Sequence, residues 1–246
     1  SDGRLAASWR IGSTGAVATR VGLHIRKLPD GAVVRVRAAD GQRALQTTGR
    51  HINQTIQANI KADGESAGAS TFWMPSIEGS VLVLEVELPA GSSIADADFT
   101  VPAIVHMTET AAQAQAAQLQ AKSACPGITP DATCNLPPVA NAVVALEFVS
   151  NGIGGYTCTG TLLANRGEIQ QGYLLTANHC IANQTEAGSL ETTWFWRSAS
   201  CNGGVVNPGA MTLSGGATLR YTKTEVSSYA WRNNQRVVTD AGTDTT

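Results

Sequence analysis

Two short stretches decide the fold of the second half of this sequence: Tyr156-Thr-Cys-Thr-Gly-Thr-Leu-Leu163 and Gly172-Tyr-Leu-Leu-Thr-Ala-Asn-His-Cys180. Their apolar runs are short and are bounded by turn residues, which predicts β-strands. His179 ends the second stretch, next to a cysteine. A general-base imidazole must be held within about 3 Å of its nucleophile, so a histidine on a rigidly held loop is a candidate catalytic residue. The alternative is a buried histidine beside a structural pair of cysteines.

Residues 1–107 show the alternating pattern of antiparallel strands. In Val34–Arg37 and Leu84–Leu88, apolar and charged side chains take turns, which places them on opposite faces of a strand. We therefore expect a β-sandwich with two faces in water. This stretch contains no cysteine.

An Ala- and Gln-rich segment, residues 108–124, separates this sandwich from the rest of the chain. Its helix propensity is high but it has hardly any apolar stripe, so it is predicted to be a linker, and Lys122 is its only basic residue. Residues 125–246 are predicted to form a second, β-rich domain. This domain holds all five cysteines of the chain: Cys125, Cys134, Cys158, Cys180 and Cys201.

Composition and charge exclude several classes of function. The formal net charge of the 246 residues is −2, without the basic excess of a nucleic-acid-binding protein, so no nucleic-acid partner is expected. No run of 18 apolar residues occurs, so no membrane span is expected. His106, Asp96 and Asp98 lack the spacing of metal ligands. We therefore expect no metal and no cofactor.

The region around His179 resembles the catalytic-histidine region of chymotrypsin-like serine proteases. In that family one strand begins with Cys-x-Gly-Ser/Thr-Leu, and the next ends in aliphatic residues followed by Thr-Ala-x-His-Cys. The matching residues here are Cys158, Gly160, Thr161, Leu162, Leu174, Leu175, Thr176, Ala177, His179 and Cys180. The resemblance implies an all-β fold, in which the sandwich precedes the first half of a chymotrypsin-type double β-barrel. It also implies a Cys158–Cys180 disulfide and makes His179 the general base.

The sequence is similar, more narrowly, to the bacterial lysyl-endopeptidase-like branch of that family. This similarity implies a second disulfide, Cys134–Cys201, and leaves Cys125 unpaired. It implies a secreted bacterial serine endopeptidase precursor that hydrolyses peptide bonds of protein or peptide substrates, with cleavage after Lys as one possibility. Residues 1–107 would be its own propeptide in cis, and cleavage after Lys122 would free a mature chain that begins at Ser123.

The resemblance weakens after residue 220. Glu225 stands at the position of the triad acid, and an ordinary surface carboxylate is an equally good interpretation. No Gly-x-Ser-Gly segment follows His179, so the chain as given is expected to lack hydrolase activity. Three explanations are open: truncation, a reading-frame error from about Val226, or a natural relative without catalysis. The alternative function is a secreted, inactive binding protein whose sandwich recognises a surface or a carbohydrate.

Overall fold

The computed structural model describes most of the chain in two β-rich regions, which we call the N-terminal region (residues 3–109) and the C-terminal region (residues 131–223). The described residues are 3–41, 44–109, 113, 131–150, 152, 154–164, 172–203 and 205–223, with the backbone alone of 227–232 and 235–241. The fold is all-β, as predicted. None of the helices in these ranges is long and apolar enough to cross a membrane.

Eight strands and one long helix form the N-terminal region. The elements are β1 (Leu5–Gly12), β2 (Ala18–Lys27), β3 (Val33–Ala38), β4 (Leu45–Thr48), α1 (Gly49–Asp63), β5 (Thr71–Trp73), β6 (Ile77–Glu78), β7 (Val81–Leu88) and β8 (Asp98–Met107). One antiparallel sheet has the strand order β1-β7-β3-β4. In the other, β2 pairs with β8 along one edge and with β5 and β6 along the other.

The two sheets bury their apolar faces against each other. Val34, Val36, Leu84 and Val86 come from alternating positions of β3 and β7, and all four side chains are buried in one core. Because the charged residues between them point the other way, Arg35 lies 2.8 Å from both Glu85 and Glu87 on the outer face. The apolar face predicted from the alternating pattern of β3 and β7 is therefore the face that is buried in this core.

Helix α1 is an element that the sequence analysis did not predict. Thr48 caps its first turn by accepting the N–H of His51, and Gly64 follows its last residue with a φ of 83°. Ile52 and Ile56, one helical turn apart, are buried in the core of the sandwich. The helix thus closes one side of the N-terminal region, and its last residues extend toward the C-terminal region.

A five-stranded antiparallel sheet forms the C-terminal region. Its elements are β9 (Val143–Ser150), β10 (Gly154–Leu163), β11 (Tyr173–Leu175), α2 (Gln184–Gly188), β12 (Glu191–Trp194) and β13 (Met211–Leu213), with the strand order β11-β10-β9-β12-β13. Short 3-10 turns precede it. A chymotrypsin-type barrel stays a prediction, as do the domain boundaries at 1–107, 108–124 and 125–246. Farther along, β14 (Ser227–Arg232) and β15 (Gln235–Ala241) pair antiparallel.

Candidate functional site

His179 lies on a tight turn directly after β11, and its side chain is exposed. The turn is closed by two backbone hydrogen bonds, because the N–H groups of Cys180 and Ile181 both donate to the carbonyl of Ala177. Cys180 and Ile181 are buried in the core of the C-terminal region. The histidine therefore stands at the surface on a backbone that is fixed from below.

A disulfide ties this turn to the neighbouring strand. Cys158 on β10 is bonded to Cys180, with an S–S distance of 1.97 Å and Cα atoms 6.2 Å apart. The hydroxyl of Thr176 adds a hydrogen bond of 2.8 Å to the carbonyl of Thr159, also on β10. The backbone on both sides of His179 is thus attached to β10, which restricts the positions that the imidazole can take.

The second disulfide, Cys134–Cys201, joins the start of the C-terminal region to the loop after β12, with Cα atoms 4.4 Å apart. These two bonds join the same cysteines as the two pairs that the resemblance implies. Cys125 lies outside the described residues, and so do Lys122 and Glu225. The roles expected for Lys122 and Glu225 stay predictions.

Residues 217–222 lie against α2 and the turn of His179. Ala217 donates its N–H to the carbonyl of Ala187, and Leu219 donates to the side chain of Gln184, each at 2.8 Å. Farther along, the amide of Asn178 donates to the hydroxyl of Thr222. Asn178 immediately precedes His179, so this segment approaches the histidine three residues before the proposed acid.

His179 and the two cysteines beside it lie as close together as the ligands of a metal ion. The ring of His179 and the sulfurs of Cys158 and Cys180 lie within 4.8 Å of one another, the one such grouping that the described residues contain. Both sulfurs are bonded to each other in the disulfide. A cysteine binds a metal as a thiolate, so this cluster does not offer a metal site while the disulfide is intact.

The N-terminal region contacts the C-terminal region close to this turn. The carboxylate of Asp63, the last residue of α1, accepts the backbone N–H groups of Gln184 and Thr185 at 3.2 and 2.6 Å. These residues begin α2, which starts five residues after His179. The N–H groups of a first helical turn lack partners within the helix, so Asp63 stabilises the start of α2.

A second contact between the two regions surrounds Arg20, a residue that is 1% exposed. Arg20 donates from Nε to the carbonyl of Met74 at 2.8 Å and from Nη2 to the carbonyl of Ser189 at 2.6 Å. Its Nη1 lies 3.8 Å from the carboxylate of Glu191 and makes no hydrogen bond within the described part of the chain. Burial lowers the pKa of Arg20, and the carboxyl groups of Glu191 and Glu147 oppose that shift. A guanidinium keeps its charge in proteins, so a buried cation joins the two regions.

Arg20, Glu147 and Glu191 were not among the site residues predicted from the sequence. The first two carry a local signal, because each interrupts an apolar strand: Arg20 lies in Ala18-Thr-Arg-Val-Gly-Leu, and Glu147 lies in Val143-Val-Ala-Leu-Glu-Phe-Val. A charged residue inside such a run is buried only when it is paired, so each signals an unseen partner. The sequence does not show which residue that partner is.

Comparison with known proteins divides the chain into two parts. Residues 1–108 match the family model "Lysyl endopeptidase N-terminal domain", and residues 116–233 match "Lysyl endopeptidase, C-terminal domain". Lysyl endopeptidase of Pseudomonas aeruginosa is 27% identical over 232 residues, which cover 89% of this chain and 46% of that protein. Secreted RxLR effector protein 73 of Plasmopara viticola is 35% identical over 63 residues, 26% of this chain and 14% of that protein. No solved structure matches.

These findings define first a class, the endopeptidase-like proteins in which one chain matches both an N-terminal and a C-terminal domain model. Within that class, the chain is lysyl-endopeptidase-like, because its two halves match the two domain models of that family. The chain spans less than half the length of the Pseudomonas protein. The activity and substrates of the Pseudomonas protein are therefore not assigned to this chain by similarity alone.

Proposed function

We propose that the chain is part of the precursor of a secreted bacterial serine endopeptidase, in which His179 is the general base. The observation that carries this proposal is the position of His179: an exposed imidazole on a turn that two backbone hydrogen bonds and the Cys158–Cys180 disulfide hold in place. A general base works only when its position relative to the nucleophile is fixed. The matches to lysyl endopeptidase support the same reaction class.

In the proposed reaction, His179 takes the proton of a serine hydroxyl as the serine oxygen attacks the peptide carbonyl. The imidazolium then gives that proton to the leaving amine, and the acyl-enzyme is hydrolysed by water. We propose Glu225 as the carboxylate that orients His179. Support comes from Thr222, which accepts a hydrogen bond from Asn178 next to the histidine. The nucleophile is proposed to lie outside these 246 residues, since no Gly-x-Ser-Gly segment follows His179.

The substrate class is protein or peptide, and we propose cleavage after lysine, as the name of the Pseudomonas relative suggests. Secretion is supported by the two disulfides, because structural disulfides persist in oxidising compartments outside the cytosol. The N-terminal region is proposed to be the propeptide, which contacts the protease region in cis through Asp63 and Arg20.

Sequencing the source DNA beyond codon 246 in all three frames tests the reaction class. We expect a Gly-x-Ser-Gly segment downstream of an aliphatic strand. A stop codon without such a segment in any frame would contradict the proposal and would favour an inactive secreted protein.

Processing within the linker gives a separate prediction. Expression of the complete gene product in a secreting bacterial host is expected to yield a mature chain that begins at Ser123, because Lys122 is the only basic residue of the predicted linker. N-terminal sequencing of the secreted product makes the measurement. The variant Lys122→Gln should not be cut there, whereas Lys61→Gln, an exposed lysine of α1, should be processed normally. A mature chain with another first residue would refute this cleavage site.

A further inference from the structure

Two glutamates of the C-terminal region face each other across neighbouring strands. Glu147 on β9 and Glu191 on β12 are directly opposite in the antiparallel register. Glu191 is 3% exposed, and Glu147 is partly buried. Like charges at directly opposed positions destabilise a strand pair, and burial increases the cost. This pair therefore needs a compensating partner.

Groups of the N-terminal region fill the space between these two glutamates. Ser76, in the loop between β5 and β6, has its hydroxyl oxygen 2.5 Å from Glu191 Oε2 and 3.1 Å from Glu147 Oε1. The backbone N–H of Ser76 also donates to the carboxylate of Glu191, at 3.2 and 3.3 Å to its two oxygens. Arg20 lies 3.8 Å from Glu191. The acidic pair is thus covered by one cation and one hydroxyl group from β2 and the β5–β6 loop.

The hydrogen-bond pattern requires one more proton than these groups supply. A serine hydroxyl has a single hydrogen, which it can donate to only one of the two carboxyl groups. The shorter contact assigns that hydrogen to Glu191. The contact with Glu147 is then a hydrogen bond only if the carboxyl of Glu147 carries a proton and donates it to the serine oxygen. The charges lead to the same assignment, because the single guanidinium of Arg20 neutralises one carboxylate, that of Glu191, and leaves Glu147 to be neutral.

We propose that the contact between the two regions is linked to a proton: Glu147 holds a proton while the regions are docked and releases it when they separate. Rising pH therefore weakens the docking of the N-terminal region, and acidification strengthens it. This inference goes beyond the proposed protease activity and does not depend on it, since it rests on the contact alone.

The surroundings of Glu147 also favour its protonated form. Burial is the largest influence and raises the pKa of Glu147, the charge of Glu191 raises it further, and the charge of Arg20 partly opposes the shift. Among the described residues, Glu191 from β12 and Arg20 from β2 are the charged groups that act on this carboxyl. A group with a raised pKa in the docked state contributes stability that is complete below its ordinary pKa. That contribution is lost as the pH rises through the raised value.

Hydrogen exchange of the Ser76 backbone amide in the full 246-residue chain tests the proposal, because this amide is bonded across the contact to Glu191. Its protection factor should fall about tenfold per pH unit, the effect of one linked proton. The fall should begin above the ordinary glutamate pKa of about 4.3 and end at the raised pKa of Glu147. The amide of Ala39, bonded to Val81 within the N-terminal region, is the internal control and should show no such dependence.

Glu147→Gln is the decisive variant, because a glutamine amide can donate to Ser76 as the protonated acid does. Its Ser76 protection should be independent of pH over the same window. Glu78→Gln, the same change at an exposed residue on β6 two positions from Ser76, should keep the wild-type slope. A wild-type profile that is flat, or a Glu147→Gln profile with the wild-type slope, overturns the proposal.

Infrared spectroscopy of the wild-type chain gives an independent measurement if Glu147→Gln does not fold. The carbonyl band of a protonated carboxyl group is expected to persist above the pH at which exposed glutamates have ionised, and to disappear at higher pH. Absence of this band above the ordinary glutamate range would also overturn the proposal.

Discussion

The substitution His179→Ala is expected to lower the kcat/KM of the complete gene product for lysyl peptide substrates by about 10⁴-fold or more. The imidazole both removes the proton of the nucleophile and returns it to the leaving group, so its loss removes both proton transfers. Steady-state hydrolysis of a peptide amide with lysine before the scissile bond makes the measurement. A free thiol assay on each variant checks that the Cys158–Cys180 bond has formed.

His106→Ala serves as the matched control for this prediction. His106 lies on β8 in the N-terminal region, where its ring is hydrogen-bonded to the hydroxyl of Ser13 at 2.8 Å. We expect its kcat/KM to stay near the wild-type value. Activity of His179→Ala within about tenfold of wild type, an effect of less than 1.4 kcal/mol, would exclude His179 as the general base.

The second large effect is expected from Arg20→Ala, which should lower the free energy of unfolding by about 3–5 kcal/mol. The change leaves the buried carboxylate of Glu191 without its cation and removes the donors that reach the carbonyls of Met74 and Ser189. Breaking a buried ion pair from one side costs more than the pair contributes, because the remaining charge stays desolvated. Urea unfolding of the 246-residue chain at pH 7, followed by circular dichroism, gives this free energy.

Arg26→Ala is the control for Arg20→Ala. Arg26 and Asp98 form a bidentate ion pair in the same region, but both side chains are about half exposed. Exposed pairs contribute up to about 1 kcal/mol, so the loss should be small. In a Glu191→Gln background, Arg20→Ala should cost less than in the wild type, because the two residues interact. Equal losses in both backgrounds would show that Arg20 does not act through Glu191.

The strands of the N-terminal region could be predicted because their pattern is local. Alternating side chains in Val34–Arg37 and Leu84–Leu88 identify one buried and one solvated face without any knowledge of the partner strand. Helix α1 escaped prediction because most of its residues are polar and only a few isoleucines mark its buried face. Its signals, the cap at Thr48 and the spacing of Ile52 and Ile56, are short beside the strand pattern around them.

Only those residues of the candidate site that lie close together in the sequence could be predicted. His179 and Cys180 lie in one turn, and the strand with Cys158 closely precedes it, so one short motif identifies all three residues. The contact of Arg20 with Glu191 and Ser189 joins residues that are far apart in the chain. Such contacts depend on how the two regions pack, and the pattern of either strand alone does not determine them. The acid at Glu225 stays a prediction for a related reason, since its local sequence lacks the aliphatic alternation of the family.

The central claim, that His179 activates a serine nucleophile, is tested most directly by covalent labelling of the complete gene product. The protein is treated with a fluorophosphonate and digested, and the modified residue is identified by mass spectrometry. We predict one adduct per chain, on a serine beyond residue 246, formed rapidly by the wild type and slowly or not at all by His179→Ala. No adduct on the wild type, or labelling of His179→Ala at the wild-type rate, would contradict the account.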